Sequence, residues 1–313
     1  MDAVFPPLFL ERLRQIIPQE HWDSSFKTFS EDKPLTLRIN TLKTSWQEVF
    51  DTLARHQIPF KEVLWYRDAF IAERVSLNEI EKTGLIKEGK LYPQSLSSVI
   101  PVLALDPKPG EHVLDMCAAP GGKTAQMAAH MNNQGEILAV ERVKNRYYRL
   151  RSVLALLGVQ NASLKLTDAR RLRPENLFDK ILIDAPCSSE GRFHARDKKT
   201  FTYWSPRKIK EMSQKQKGLL LSGFRFLKKG GTLIYSTCTF APEENESAID
   251  WLLKKAGAEA SIVPVSLEDV EFYPALSAWG KKTYSPQISS CLRILPMRLM
   301  EGFFIAKIVK TDG

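Results

Sequence analysis

VLDMCAAPGGKT, residues 113–124, has the pattern of a buried strand, a tight turn and the first turn of a helix. The apolar run ending in Asp115 predicts the strand. The small residues that follow, two of them glycines, let the backbone turn sharply and approach a ligand closely. Lys123 and Thr124 begin the predicted helix. A strand, a glycine turn and a helix N-terminus together form a ligand site in open α/β sheets, because the first amide N–H groups of the helix point outward.

Three kinds of ligand fit a turn of this shape. The phosphate-binding pattern G-x-x-x-x-G-K-[ST] requires a glycine where Cys117 stands, and the dinucleotide pattern G-x-G-x-x-G is absent. S-adenosylmethionine has no phosphates and needs only close backbone approach, so the stretch favours this cofactor over the other two. A turn without a ligand is the alternative. The predicted cofactor-binding residues of the turn are Cys117, Ala118, Ala119, Pro120, Gly121, Gly122 and Lys123.

Strands and helices alternate around this stretch, which predicts an α/β fold with a parallel, doubly wound sheet. One long helix is predicted over residues 206–227 and is expected to end at Gly230-Gly231. The predicted strands cover residues 112–115, 135–140, 162–167, 178–184, 232–237, 260–266 and 303–309. We assign residues 91–313 to this catalytic domain and residues 1–90 to a smaller accessory α/β domain. The accessory domain is either an RNA-docking platform or a lid on the larger sheet.

The composition is that of a globular protein with an uneven positive charge. The chain has 43% hydrophobic residues and a net charge of +9. Residues 1–90 contain 13 Lys and Arg against 14 Asp and Glu, so the surplus lies in residues 91–313. A basic surplus on the larger domain indicates a polyanionic partner such as a nucleic acid.

The sequence favours a cytoplasmic protein that works without a membrane or a metal ion. The N-terminus lacks the basic and apolar regions of a signal peptide, and no apolar run reaches the ~20 residues that span a bilayer. The 4 cysteines are too scattered for a disulfide framework, and no C-x-x-C pair predicts zinc. We expect a monomer.

Four acidic residues stand at the C-terminal ends of predicted strands: Asp115, Glu141, Asp168 and Asp184. Ligands of such sheets bind at this edge. Glu141 lies 20 residues after Gly121, which is the spacing at which an acid reaches a ribose hydroxyl pair. We expect Asp168 to accept a hydrogen bond from an adenine amino group, and Arg146 to reach the cofactor from the next helix.

Two cysteines are predicted at the same edge, Cys187 in DAPC and Cys238 in STCT. Their strands are the fourth and fifth in order and should be neighbours, which places both thiols beside Asp184. Such a pair suits methyl transfer to C5 of cytosine, because this carbon becomes nucleophilic only after a thiolate adds at C6. A buried structural cysteine is the alternative for each, and it is the role expected of Cys117 and Cys291.

DMCAAPGGKT, DAPCS and STCT together resemble the signature motifs of the RNA cytosine-C5 methyltransferases of the NOL1/NOP2/sun family. The resemblance implies a Rossmann-like class I methyltransferase sheet, mostly parallel with an antiparallel last strand. It implies that Cys238 attacks C6 and that Cys187 assists release of the product. It also implies that Asp184 contacts N3 of the base and that Lys123 contacts the base or the cofactor.

A basic, aromatic-rich segment at residues 192–217 contains nine Lys and Arg and several aromatic residues. Phosphate contacts and base stacking on a single strand account for this composition, whereas a solvated helix face accounts for only part of it. The predicted RNA-contacting residues are Arg192, Arg207, Lys208 and Lys210.

The sequence thus predicts an S-adenosylmethionine-dependent RNA cytosine-C5 methyltransferase that acts on a flipped or unpaired cytosine. Ribosomal RNA is the favoured substrate, and tRNA is the alternative. A non-catalytic RNA-binding or assembly factor on the same fold is a second alternative, against which both cysteines argue. A nucleotide hydrolase is disfavoured by the missing first glycine.

Overall fold

The computed structural model describes residues 4–312. Its N-terminal part contains a four-stranded antiparallel sheet of order β2-β3-β1-β4. Ser45 caps the helix that covers this sheet by accepting a hydrogen bond from Glu48 N at 3.2 Å. The elements are α1 (Pro7–Ile16), α2 (Trp22–Thr28), β1 (Leu35–Ile39), α3 (Trp46–Arg55), β2 (Phe60–Glu62), β3 (Ala69–Ala72), α4 (Leu77–Glu81) and β4 (Leu91–Pro93).

The rest of the chain builds a large α/β sheet with helices on both faces. Its helices are α5 (Leu96–Leu105), α6 (Gly122–His130), α7 (Lys144–Leu156), α8 (Pro206–Phe226) and α9 (Glu246–Ala256). Its strands are β5 (His112–Asp115), β6 (Glu136–Glu141), β7 (Ala162–Leu166), β8 (Phe178–Asp184), β9 (Leu227–Thr237), β10 (Ala260–Val263), β11 (Tyr273–Pro274), β14 (Leu292–Ile294) and β15 (Phe303–Lys310), while β12 (Ala278–Trp279) and β13 (Lys282–Thr283) pair separately.

The topology confirms the predicted fold class. In residues 4–312 the main path of the large sheet is β11-β14-β15-β9-β8-β5-β6-β7, with β10 paired to β15. The five strands β9-β8-β5-β6-β7 are parallel to their neighbours, and β15 is antiparallel to β9. This is the Rossmann-like sheet expected of the fold. The carboxyl ends of β5, β6 and β8, and the end of β9, meet at one edge.

Alternate residues of the central strands face the two sides of the sheet, and both sides are buried. Leu114 and Ile181 pack in one apolar layer, whereas Val113 and Leu182 pack in the other. All four side chains are fully buried. Helices therefore cover both faces, and the only part of these strands that a ligand can reach is their carboxyl edge.

The predicted range of the long helix, residues 206–227, agrees with the structure to within one residue, but the predicted role of Gly230-Gly231 in ending it was wrong. The helix α8 ends at Phe226, and β9 begins at Leu227 without an intervening loop. Gly230, with φ +74°, lies within β9 where its pairing with β8 is irregular. Leu227 is buried and already pairs with Phe178 in the sheet. The glycine pair therefore lies inside the strand, where it forms a bulge.

None of the helices in the part of the chain that the structure describes is long and apolar enough to cross a membrane.

Candidate active site

The glycine turn between β5 and α6 is held by its own side chains. Asp115 is buried and accepts hydrogen bonds from Thr124 Oγ1 at 2.7 Å and Cys117 N at 3.3 Å. Burial raises the pKa of Asp115 to about 6. Gly121 has φ +118°, a backbone conformation that is strained for any residue with a side chain. Of the four strand-end acids, Asp115 therefore stabilises the turn, and it does not line the cavity that opens beside the turn.

A cavity of about 300 Å³ opens at the carboxyl edge beside this turn. It is lined by both predicted catalytic cysteines and by the three remaining strand-end acids. A recess of about 260 Å³ adjoins it on the other side of the turn, beside Lys123. The predicted turn residues divide between the two: Cys117 and Ala119 line both, and Ala118, Pro120 and Gly122 line the recess. Gly121 lines neither and packs against Leu150 and Val153.

Two carboxylates that the sequence assigns to cofactor binding, Glu141 and Asp168, line the cavity. Glu141 is buried, and its Oε1 accepts a hydrogen bond from Val143 N at 2.8 Å. Its Oε2 lies 3.6 Å from Arg146, which also donates to the Ala119 carbonyl of the turn at 2.6 Å. Asp168 faces the same space but is bound by Arg170, whose hydrogen bonds lower the pKa of Asp168.

Asp184 and Lys123 form an ion pair where the cavity meets the recess. Lys123 Nζ donates to Asp184 Oδ2 at 2.7 Å and to Ser98 Oγ at 2.8 Å. Ser236 Oγ donates to the other carboxylate oxygen at 3.0 Å. Both oxygens of Asp184 are therefore oriented by β9 and α6, and the carboxylate stays partly exposed to the cavity.

The two predicted catalytic cysteines are in direct contact. Cys187 Sγ lies 3.4 Å from Cys238 Sγ, because β8 and β9 are parallel neighbours that end at the same level. A hydrogen bond from Cys187 and the charge of Arg192 lower the pKa of Cys238 to about 7, although burial opposes this shift. The same hydrogen bond and burial raise the pKa of Cys187. Of the two thiols, Cys238 therefore has the greater thiolate character at neutral pH.

Buried acids that the sequence reasoning missed support the loops around the thiols. Glu190 accepts hydrogen bonds from Trp204 Nε1 at 2.7 Å, Thr239 Oγ1 at 2.9 Å and Phe240 N at 3.0 Å. It thereby ties the loop after Cys187 to the loop after Cys238. Ser189 and Glu190 lie within DAPCSSEG, but the sequence of a loop does not indicate whether an acid in it is buried.

Glu244 is the second acid that was missed. Its Oε2 accepts hydrogen bonds from Ser188 N at 3.1 Å and Gln216 Nε2 at 2.8 Å. Burial raises the pKa of Glu244 to about 8. Among the described residues, neither Glu244 Oε1 nor Gln216 Oε1 has a hydrogen-bond partner. The three acids Glu243, Glu244 and Glu246 stand close together in the sequence, which is the signal that could have indicated a role here.

The predicted base-stacking surface was largely wrong. Phe193 and Phe201 are 3% and 8% exposed and pack against Phe5 and Phe9. They are therefore core residues that pack against the N-terminal helix. Tyr203, at 85% exposure, is the most accessible aromatic side chain of this stretch, and His194 and Trp204 are partly buried.

The four predicted RNA-contacting residues lie in two places. Arg207 and Lys210 are exposed in the first turn of α8, with Lys208 partly exposed beside them. Arg192 instead lines the cavity and the recess. The structure thus separates Arg192 from the outer basic surface to which the sequence assigned it.

Comparisons with known proteins match this architecture over most of the chain. A family described as "16S rRNA methyltransferase RsmB/F" matches residues 102–309. A second family, described as the RsmF/B-like ferredoxin-like domain, matches residues 5–76.

Individual relatives extend the match. A tRNA (cytosine(49)-C(5))-methyltransferase of Pyrococcus abyssi is 39% identical over 285 residues, which cover 89% of each chain. The ribosomal RNA small subunit methyltransferase F of Escherichia coli is 35% identical over 99% of this chain, and the matched region spans only 64% of that enzyme. The crystal structure of a methyltransferase homologue from Pyrococcus horikoshii superposes with a TM-score of 0.79 at 34% identity, covering 98% of this chain and 100% of that one.

Proposed function

The chain belongs to the RsmB/F methyltransferases of the NOL1/NOP2/sun family, and from this premise we propose that it methylates C5 of an unpaired or flipped cytosine in small-subunit ribosomal RNA. The family is that of S-adenosylmethionine-dependent RNA cytosine-C5 methyltransferases. The observation that carries the proposed chemistry is the contact of two thiols beside an oriented carboxylate, at the edge where the fold binds its ligands.

The residues of the cavity fit S-adenosylmethionine. Glu141 is a buried carboxylate with one backbone partner at Oε1, so its remaining lone pairs can accept hydrogen bonds from ribose hydroxyls. Asp168 and Arg146 border the same space, and the turn supplies close backbone approach. We propose that these residues hold the cofactor, which supplies an electrophilic methyl group. The Arg170 hydrogen bonds at Asp168 leave its contact with the adenine amino group the least supported of these roles.

The proposed chemistry begins at Cys238. Its thiolate adds to C6 of cytosine, which forms a C–S bond and moves the C5–C6 electron pair toward C5 and the N3–C4 system. Asp184 is proposed to contact N3, and Lys123, which donates to Asp184, to offset the negative charge that develops on the base. After methylation a base removes the C5 proton, and the electrons of that bond expel Cys238. Cys187 lies in contact with Cys238 and is proposed to serve this release step.

A tRNA substrate is the second candidate. It is supported by the Pyrococcus abyssi tRNA methyltransferase, which matches this chain over 89% of its own length, whereas the match spans 64% of the Escherichia coli rRNA enzyme. The name of the matching family, which describes 16S rRNA methyltransferases, supports the rRNA substrate. The contact of the two thiols beside Asp184 argues against the non-catalytic alternative.

The substrate is tested by methyl transfer to purified RNAs. We expect the protein to methylate 16S rRNA, or the small subunit that contains it, at one cytosine that bisulfite sequencing then identifies. Total tRNA from the same cells is the matched control. Methylation of tRNA alone would replace the rRNA proposal with the second candidate, and methylation of neither would favour the non-catalytic alternative.

We propose that the basic side chains at the start of α8 contact RNA phosphates, and an RNA-binding assay tests this role. Replacing Arg207, Lys208 and Lys210 by alanine should weaken RNA binding and lower the slope of its salt dependence by up to ~3 units. Cofactor affinity should not change, since none of the three lines the cavity. An unchanged salt slope would identify these side chains as a solvated helix face.

Glu141→Ala is expected to weaken binding of S-adenosylhomocysteine by about 1–3 kcal/mol, because charged hydrogen bonds to the ribose are lost. Isothermal titration calorimetry on the folded protein measures the change. Glu136→Ala, at the exposed start of the same strand, is the matched control and should bind normally. Equal affinities of the Glu141 variant and the control would remove Glu141 from the cofactor site.

The other untested expectations remain proposals. We propose that residues 1–90 form the accessory unit and residues 91–313 the catalytic one, supported by the separate family matches at 5–76 and 102–309. Limited proteolysis that releases no fragment near residue 90 would argue against two units. A cytoplasmic location and a monomeric state are likewise predictions, to be checked by fractionation and by light scattering.

A further inference from the structure

Arg192 lies inside the active site. Its side chain lines both the cavity that contains the two thiols and the recess beside Lys123. It is 54% exposed, so it faces an open space in which a substrate would sit. Its Nε donates to Glu301 Oε2 at 3.2 Å, and Glu301 is 20% exposed. The cation that borders the thiol site is thus paired with an anion from a second loop.

The backbone fixes Arg192 relative to Cys238. The preceding residue, Gly191, donates from its N–H to the Cys238 carbonyl at 2.9 Å. A Cβ at Gly191 would lie 2.3 Å from the Gly302 carbonyl oxygen and 3.1 Å from the Cys238 carbonyl, so only glycine fits. Gly302 follows Glu301 directly. The close packing of these two glycines therefore brings Arg192, Glu301 and the nucleophile's own backbone together.

The charges around Cys238 come from several elements. The thiol is half-buried, so the nearby charges act on it with less screening than at an open surface. Arg192 favours its anionic form, whereas Glu301 and Asp184 oppose it. Lys123 is already paired with Asp184. The titratable groups that act on Cys238 are its contact partner Cys187 and the charged residues Arg192, Glu301 and Asp184.

We propose that Arg192 is a positioning residue for methyl transfer, whose charge holds Cys238 as a thiolate in the cavity, and that Glu301 sets how much of that charge the thiolate receives. The proposal rests on the proposed role of Cys238 as the nucleophile. It assigns Arg192 to the chemistry in place of the RNA-contacting role predicted from the sequence. An arginine suits this task because its guanidinium stays charged and can serve Glu301 and the thiolate together.

The test measures the thiolate directly and needs neither RNA nor cofactor. Alkylation of Cys238 by iodoacetamide is followed from pH 5.5 to 9.5, and peptide mass spectrometry separates Cys238 from the other cysteines. Only the thiolate displaces iodide, so the midpoint of the rate profile reports its ionisation. A failure of this test is distinct from a failure of the proposed function, because the latter appears as absent RNA methylation whatever the alkylation profile.

Opposite shifts are expected from the two charges. Arg192→Gln removes the favourable cation, so the midpoint should rise by about 1 pH unit and alkylation at pH 7 should slow several-fold. Arg192→Lys should restore most of the shift. Glu301→Gln removes the opposing anion, so its midpoint should fall below that of the wild type.

Arg196→Gln is the matched control. Arg196 lies on the same loop but is 70% exposed and pairs with Asp32 at 3.0 Å, so its loss should leave the midpoint unchanged. A merely structural role of Arg192 would change the alkylation rate at every pH without moving the midpoint, and this result would overturn the proposal. Should Arg192→Gln fail to fold in a thermal melt, the direction of the Glu301→Gln shift decides: an unchanged or raised midpoint refutes it.

Discussion

Replacing Cys238 with alanine should abolish both methyl transfer and the covalent enzyme–RNA complex. The C–S bond to C6 must form before C5 becomes nucleophilic, so nothing downstream can occur without this thiol. We expect the rate to fall by at least ~10³-fold, the scale on which single nucleophile deletions act. Transfer of labelled methyl groups to RNA measures the first effect, and a denaturing gel measures the second.

Cofactor binding separates this outcome from a folding defect. Cys238→Ala should bind S-adenosylhomocysteine normally, because the predicted ribose and adenine contacts lie at Glu141 and Asp168. A variant that still forms the covalent complex would transfer the role of nucleophile to Cys187.

Replacing Cys187 with alanine should have the opposite effect on the complex. Attack by Cys238 precedes the step assigned to Cys187, so the variant should still add to C6 and methylate C5. Release should then stall, and the enzyme should accumulate on RNA as a covalent adduct of lower mobility on a denaturing gel. Turnover should cease after about one methyl group per enzyme.

The hydrogen bond between the thiols affects how fast the adduct forms in the Cys187 variant, but not whether the adduct accumulates. Loss of the Cys187 donor should raise the pKa of Cys238, so adduct formation should slow at pH 7 and recover near pH 8.5. Cys291→Ala is the matched control, since Cys291 is fully buried in the apolar layer under α9. It should lower thermal stability without any adduct. A Cys187 variant that behaved like this control would show a packing role.

The sequence predicted the parts of the site that arise from local patterns. The glycine turn follows from small residues between an apolar run and a helix start, and the adjacency of Cys187 and Cys238 follows from the order of parallel strands. These features depend on short-range periodicity and on the rule that ligands meet the carboxyl edge. The roles of the individual residues remain predictions.

The parts that escaped prediction depend on contacts between distant segments. Arg192 enters the cavity because Gly191 packs against Gly302, and nothing near residue 191 in the sequence signals that encounter. In the sequence, Phe193 and Phe201 are typical of exposed base-stacking residues. In the fold, Phe5 and Phe9 cover both side chains. The strands β11 and β14 have two and three residues, too few for an alternating pattern to emerge.

The phenylalanine cluster has a consequence for how the chain can be divided. Phe5 and Phe9 supply one side of an apolar contact whose other side, Phe193 and Phe201, belongs to the loop that begins at Arg192. In a fragment starting at residue 91, Phe193 and Phe201 would be exposed to water. The loop would also lose the packing that Phe5 and Phe9 provide. We therefore expect a chain that lacks its first helix to hold the loop around Arg192 less firmly, even though that helix belongs to the other proposed unit.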